Sequence, residues 1–210
     1  MLLATTNKDK FNDFNLLLKG IGIRLALPEN IIEINEPAYS LLENAKLKAL
    51  IYSQKYSDQL VLATDGGAKI PFLGEKWNHV LTKRLSGIDM GEKLTNKNKC
   101  KVLLRLMIDA DGEDRKVLWH EAFAIAFNNK VIYSFEGSSP PGYLLKNIPE
   151  NFAETGYWIG YLWYKPEFKK TYMQLTEEEI KSAITVGSMF KEDLAIHIKR
   201  IQGLLKSENN

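Results

Sequence analysis

The chain has 210 residues, 45% of them apolar and 26% charged, with a formal net charge of +2. That length supports a substantial core in one large domain or two closely joined lobes, and so small a charge surplus argues against nucleic acid or an anionic membrane as partner. The single cysteine, Cys100, excludes an internal disulfide and fits a reducing compartment. No apolar run approaches the roughly 20 residues of a membrane span, and polar Thr5-Thr6-Asn7 interrupts any signal-peptide pattern, so the cytoplasm is the expected location.

Leu2-Leu3-Ala4 is a short apolar run that stops at Thr5-Thr6-Asn7; Phe11, Phe14, Leu17 and Leu18 then recur at helical spacing. The pattern predicts a buried strand, a tight polar turn and a helix over about residues 8–19. Free backbone N–H groups at a helix start, with hydroxyls beside them and Lys8 and Lys10 on the first turn, make an anion site, most naturally for phosphate. A capped helix with solvated lysines is the plainer reading. Gly20 and Gly22 mark the end of this helix, and Ile23 to Leu27 predict a second strand closed by Pro28.

Ser40-Leu41-Leu42-Glu43 has capping-box spacing and opens a helix reaching about Tyr56, with Leu42, Ala45 and Ala49 as its apolar stripe. Asn44 and Lys48 lie one turn apart on one face. Glu43 has an adequate structural role as partner of the Ser40 cap. Leu60 to Ala63 reads as a buried strand ending in a glycine-rich turn, Thr64-Asp65-Gly66-Gly67, before Ala68 to Leu73 resumes in extended style. A carboxylate on such a turn can hold a metal or polarise water; an ordinary Asp-Gly turn is the alternative.

Residues 75–96 are polar and hold a short helix, and Lys99 to Ile108 is helical in pattern. Asp109-Ala110-Asp111-Gly112 is a turn, since its acids lack the glycine position and closing glutamate of a calcium loop. Val117 to Phe127 and Val131 to Phe135 form a hairpin around Asn128-Asn129-Lys130, with His120 a half-buried strand residue. Gly137 to Gly142 is a compact turn. Residues 156–164 are the densest aromatic stretch, fit for a core strand, a dimer surface or a wall that stacks on a base. Thr176-Glu177-Glu178-Glu179 is a second capping box, opening a short helix that carries Lys181. Gly187 should break it, leaving a last helix from about Ser188 to Leu205 with Phe190, Leu194, Ile198 and Ile201 inward. Strands alternating with helices, then a hairpin, then helices, argue for an α/β protein with a mixed central sheet.

Taken together, the segments resemble the inosine triphosphate pyrophosphatase family, whose members remove non-standard purine nucleoside triphosphates. The family's Thr-Gly-Asn-x-x-Lys is met by Thr5-Thr6-Asn7-Lys8-Asp9-Lys10, with Thr6 in place of glycine. Its Glu-Asn-Ala-x-x-Lys-Ala is met in full by Glu43-Asn44-Ala45-Lys46-Leu47-Lys48-Ala49. Its Ala-Asp-Asp-Ser-Gly-Leu becomes Ala63-Thr64-Asp65-Gly66-Gly67-Ala68. Phe135-Glu136-Gly137 with Gly142, and Lys181-Ser182-Ala183-Ile184, resemble two later motifs in the same order.

The resemblance implies one α/β domain over residues 1–210: a mixed central β-sheet flanked by helices, in two lobes with a cleft between them. It implies magnesium-dependent hydrolysis of a nucleoside triphosphate to monophosphate and pyrophosphate, and a homodimer. By matching position, Asp65 and Lys48 are the catalytic residues and Glu43 and Asp65 the metal ligands. Thr5, Thr6, Asn7, Lys10, Lys48, Tyr157 and Lys181 would bind the substrate. The departures gather at the base end. Where the family has Ser-His-Arg, this chain has Thr185, Val186 and Gly187, and the first acid of the Asp-Asp pair is Thr64. A site stripped of hydrogen-bonding readers discriminates weakly, so altered or relaxed base selection is expected. The rival is a catalytically silent relative that binds nucleotide or another protein.

Overall fold

A computed structural model describes residues 1–5, 8–34, 40–87, 94–154 and 157–207. Within them the strands are β1 (Leu2–Leu3), β2 (Val61–Lys69), β3 (Lys116–Phe127), β4 (Lys130–Ser138), β5 (Gly142–Leu144), β6 (Trp163–Lys165) and β7 (Lys170–Thr171). The helices are α1 (Lys8–Leu17), α2 (Leu41–Lys55), α3 (Asn96–Leu106), α4 (Glu177–Ser182) and α5 (Val186–Ser207). The hydrogen-bonded order is β1-β2-β3-β5-β6-β7, with β4 on β3. β1 runs parallel to β2, while β3–β5, β5–β6 and β6–β7 are antiparallel. The sheet is mixed, as the alternation of elements predicts.

The chain divides into two compact units. The first holds Met1–Gly66, Glu121–Gly137 and Thr185–Asn210; the second holds Gly67–His120 and Ser138–Ile184. The first unit's core forms where the apolar run Ala122-Phe123-Ala124-Ile125-Ala126, fully buried, meets the inward faces of α1 and α5. Phe190 of α5 stacks on Phe123 with ring centroids 4.2 Å apart, and Phe14 of α1 meets the same ring at 5.9 Å. A strand covered on both faces needs such an uninterrupted apolar run.

The second unit's core gathers Ile70, Leu73, Trp77, Leu103, Met107, Val117 and Leu162 around Trp158 and Trp163. Cys100 lies within it, its thiol donating to the Trp158 carbonyl at 3.3 Å. Burial pushes that thiol up to about 12.

Local chemistry explains the boundaries. Ser40 Oγ accepts the Glu43 N–H at 3.0 Å and starts α2, as the sequence predicts. The reciprocal half of that box is not made, for the Glu43 carboxylate turns to Lys46 instead, at 2.9 Å. Asn128 and Asn129 both take positive φ, 45° and 60°, which is the tight two-residue turn the β3–β4 hairpin requires. Thr176 and Glu179 form the full reciprocal box at the start of α4.

Three expectations are corrected. The segment from Ile23 to Leu27 makes only a single parallel bridge, Leu2 to Ala26, because two-residue β1 offers no longer ladder. Gly187 does not break the chain: α5 begins at Val186, and Thr185 and Ser188 exchange side-chain-to-N–H hydrogen bonds of 3.0 Å across its first turn. Finally, Asp65-Gly66-Gly67 is not a turn, since β2 runs unbroken from Val61 to Lys69. Gly67 serves close approach: a Cβ there would lie 1.8 Å from the His79 carbonyl oxygen. Thr82 Oγ1 fixes that crossing, donating to His79 O at 2.7 Å and accepting from the Ala68 N–H at 2.9 Å.

Candidate active site

The first unit brings together one carboxylate and one helix face. β1 and β2 are parallel with Leu3 level with Leu62, and the Ala4 N–H donates to the Leu62 carbonyl at 2.8 Å. Thr5 therefore leaves the sheet level with the stretch of β2 that holds Asp65. α1 begins three residues later, with Lys10 on its first turn. Carboxyl ends of parallel strands followed by helix N-termini are where α/β sheets bind anionic ligands.

On α2, Asn44 and Lys48 are separated by one turn, and both reach Asp65. Asn44 Nδ2 donates to Asp65 Oδ2 at 2.9 Å, and Lys48 Nζ stands 3.4 Å from Oδ1. Oδ1 also accepts the Gly66 N–H at 3.1 Å. The side chains of Lys48 and Asp65 are only 14% and 16% exposed, so solvent screens this pair little. Asn44 is fully buried, and its Oδ1 accepts no hydrogen bond from the described residues. Sequence reasoning placed Asn44 on the right face without giving it a role; the one-turn spacing from Lys48 was the available signal.

The other sequence-predicted positions fall as follows. Thr6 and Asn7 lie outside the described residues. Glu43 is 60% exposed and paired with Lys46. Tyr157 and Lys181 belong to the second unit. Tyr157 is half-buried, its ring 6.3 Å from Trp119 and 6.1 Å from Tyr172. Lys181 projects from α4 at 3.8 Å from Glu177 and is half exposed. Thr64 is buried, its hydroxyl unpartnered among the described residues.

Around the start of α5 the surroundings are apolar. Val186 is buried, and a Cβ on Gly137 would lie 3.3 Å from its Cγ1. A Cβ on Gly187 would lie 3.0 Å from Leu17 Cδ2.

Among the described residues no three His, Cys, Asp or Glu side chains gather as a metal-binding group. The donor set nonetheless suits magnesium, which takes one or two carboxylates and completes its shell with water and phosphate oxygens. Among the described residues Asp65 Oδ2 has a single neutral donor, and the Glu43 carboxylate is committed only to an exposed ion pair of the kind worth little. No described helix is long and apolar enough to cross a membrane.

Comparisons with known proteins bear on the family and the fold. The Ham1 family pattern matches residues 1–186. A dITP/XTP pyrophosphatase of Aquifex aeolicus is 29% identical over 184 residues, covering 85% of this chain and 87% of that protein. Another, of Desulforamulus reducens, is 28% identical over 199 residues, 93% and 94% of the two chains. Among solved structures, a HAM1 protein from Coxiella burnetii matches with a TM-score of 0.73 at 23% identity, over 95% of this chain and 98% of that one. This last likeness speaks for the fold.

Proposed function

The chain belongs to the Ham1 family, and from that premise we propose that it hydrolyses a nucleoside triphosphate to the monophosphate and pyrophosphate. The observation that carries the reading is Asp65, held by Asn44 and Lys48 from one face of α2 beside the carboxyl end of β1. Water attacks the α-phosphorus while its bond to the α–β bridging oxygen breaks. Pyrophosphate leaves with the electron pair, and Asp65 orients the water and takes its proton.

Lys48, and Lys10 with Thr5, Thr6 and Asn7, hold the triphosphate and offset the charge that grows on its oxygens. Lys181 and Tyr157 serve the nucleoside end. Asp65 and Glu43 would hold magnesium, which would supply Lewis-acid neutralisation of that charge. The relatives' activity makes dITP and XTP the first substrates to try.

Base selection in this chain is altered or relaxed. Supporting this, Val186 and Gly187 stand where the resembled motif has histidine and arginine, and Gly137 and Leu17 pack against them. We further propose one folding domain of two lobes, a homodimer and a cytoplasmic location, tested by a single urea transition, by sedimentation equilibrium and by fractionation. The rival is a silent nucleotide-binding relative, favoured by Thr64 in place of the first acid.

The deciding measurement is pyrophosphate release with magnesium across ITP, dITP, XTP, the four standard triphosphates and modified pyrimidine triphosphates. An Asp65→Asn variant runs beside the parent. Turnover that falls by about three orders of magnitude in the variant supports the enzyme. Nucleotide binding without turnover in the parent establishes the rival.

A further inference from the structure

We propose that Asn44 is a positioning residue, fixing the carboxylate of Asp65 in the orientation that the reaction uses; this rests on the hydrolase reading above. The two oxygens of Asp65 are held differently. Oδ1 faces a cation and a backbone N–H, from Lys48 and Gly66, whereas Oδ2 meets one neutral donor, Asn44 Nδ2, at 2.9 Å. Among the described residues Asn44 alone holds Oδ2, so its loss leaves only the ties on Oδ1 against rotation of the carboxylate about its Cβ–Cγ bond.

The amide itself has no freedom. Asn44 is 1% exposed, so packing fixes its rotamer, and only its N–H₂ group can face a carboxylate. Its Oδ1 is thereby turned to a buried position where the described residues supply no donor. An unmatched buried acceptor is costly. A core that needed only to fill this volume would be served better by leucine. The asparagine is explained by what its other end does.

The test compares Asn44→Leu, which keeps the volume and loses the donor, with Asn44→Ser, whose hydroxyl is too short to reach Asp65. Whichever melts within a few degrees of the parent is used. Steady-state pyrophosphate release should show kcat lowered about 10–100-fold, the usual cost of removing a group that orients a ligand or catalytic residue. KM should stay within about threefold, because the triphosphate contacts are untouched. Calorimetry with a non-hydrolysable α,β-methylene triphosphate should give unchanged affinity. In an Asp65→Asn background the Asn44 substitution should have no further effect on kcat, since two residues acting as a unit are not additive.

A kcat within about threefold of the parent overturns the proposal, as does a loss confined to KM or one that adds in full to Asp65→Asn. A parent without turnover fails the hydrolase reading and takes this one with it; an active parent matched by its Asn44 variants fails this one alone.

Discussion

Two charges largely withdrawn from solvent in this molecule are treated in opposite ways. In the second unit Arg115, 6% exposed, spends its donors on backbone carbonyls. Nε donates to Leu144 O at 2.6 Å, Nη1 to Met107 O and Ala110 O at 3.1 and 3.2 Å, and Nη2 to Leu145 O at 2.6 Å. It ties the end of α3 to β5 and the residue beyond it, and its fork leaves little to offer a ligand. In the first unit Asp65 is gripped from one side, by Asn44, Lys48 and its own neighbour's N–H. A carboxylate has about four lone-pair directions, so it keeps capacity for water or a cation. The first charge is a fastener. The second keeps bonds to spare, and burial alone does not distinguish them; the count of unspent bonds does.

Substitutions should separate the two roles. Arg115→Met should have the largest effect on stability, about 3–5 kcal/mol in urea denaturation, because three buried carbonyls and a part-buried one lose a charged donor together. Turnover per folded molecule should stay within about twofold; a matching loss of kcat would break the distinction. Lys48→Met should show the reverse bias, with kcat/KM down about 10–100-fold, or roughly 1.4–2.7 kcal/mol in the barrier. Its urea midpoint should move less than that of Arg115→Met.

Thr185→Ala should cost about 1 kcal/mol, the usual value of a lost helix cap. No change in the urea midpoint would contradict the start of α5 at Val186.

The smallest effect concerns His79, whose pKa is lowered by burial first, then by His120 and by Lys69. The unfolded chain then binds this proton more tightly than the folded one. His79 thus contributes stability in full above its ordinary value of 6.5, and this is lost as pH falls below it. The parent's urea midpoint should drop more between pH 7.5 and pH 5.5 than that of His79→Gln. Equal drops would remove His79 from the account.

Much of this was legible in the sequence wherever the cause is local. The caps at Ser40 and Thr176, the paired asparagines of the hairpin and the shared face of Asn44 and Lys48 each depend on residues a few positions apart. What escaped depends on contacts distant in sequence. Asp65-Gly66-Gly67 reads as a turn because glycine has two uses, and only the His79 carbonyl pressed on Gly67 shows that the second applies. Gly187 reads as a breaker until Leu17, from α1, is found against it. Arg115 gives no sign in its own neighbourhood, since its carbonyl partners at Leu144 and Leu145 lie 29 and 30 residues away. The grip of Asn44 on Asp65 spans 21 residues and likewise needed the folded chain.

Cys100 gives the molecule its own clock. It is the single thiol in 210 residues, fully buried in α3 and pushed up to about 12 by that burial. Since the thiolate is the form that reacts, a disulfide reagent at neutral pH should label the protein only when the second unit's core opens. At high reagent concentration the labelling rate becomes the opening rate itself; at low concentration it reports the fraction open. With no tag or engineered label, one absorbance trace then follows the second unit alone, at the level of individual opening events.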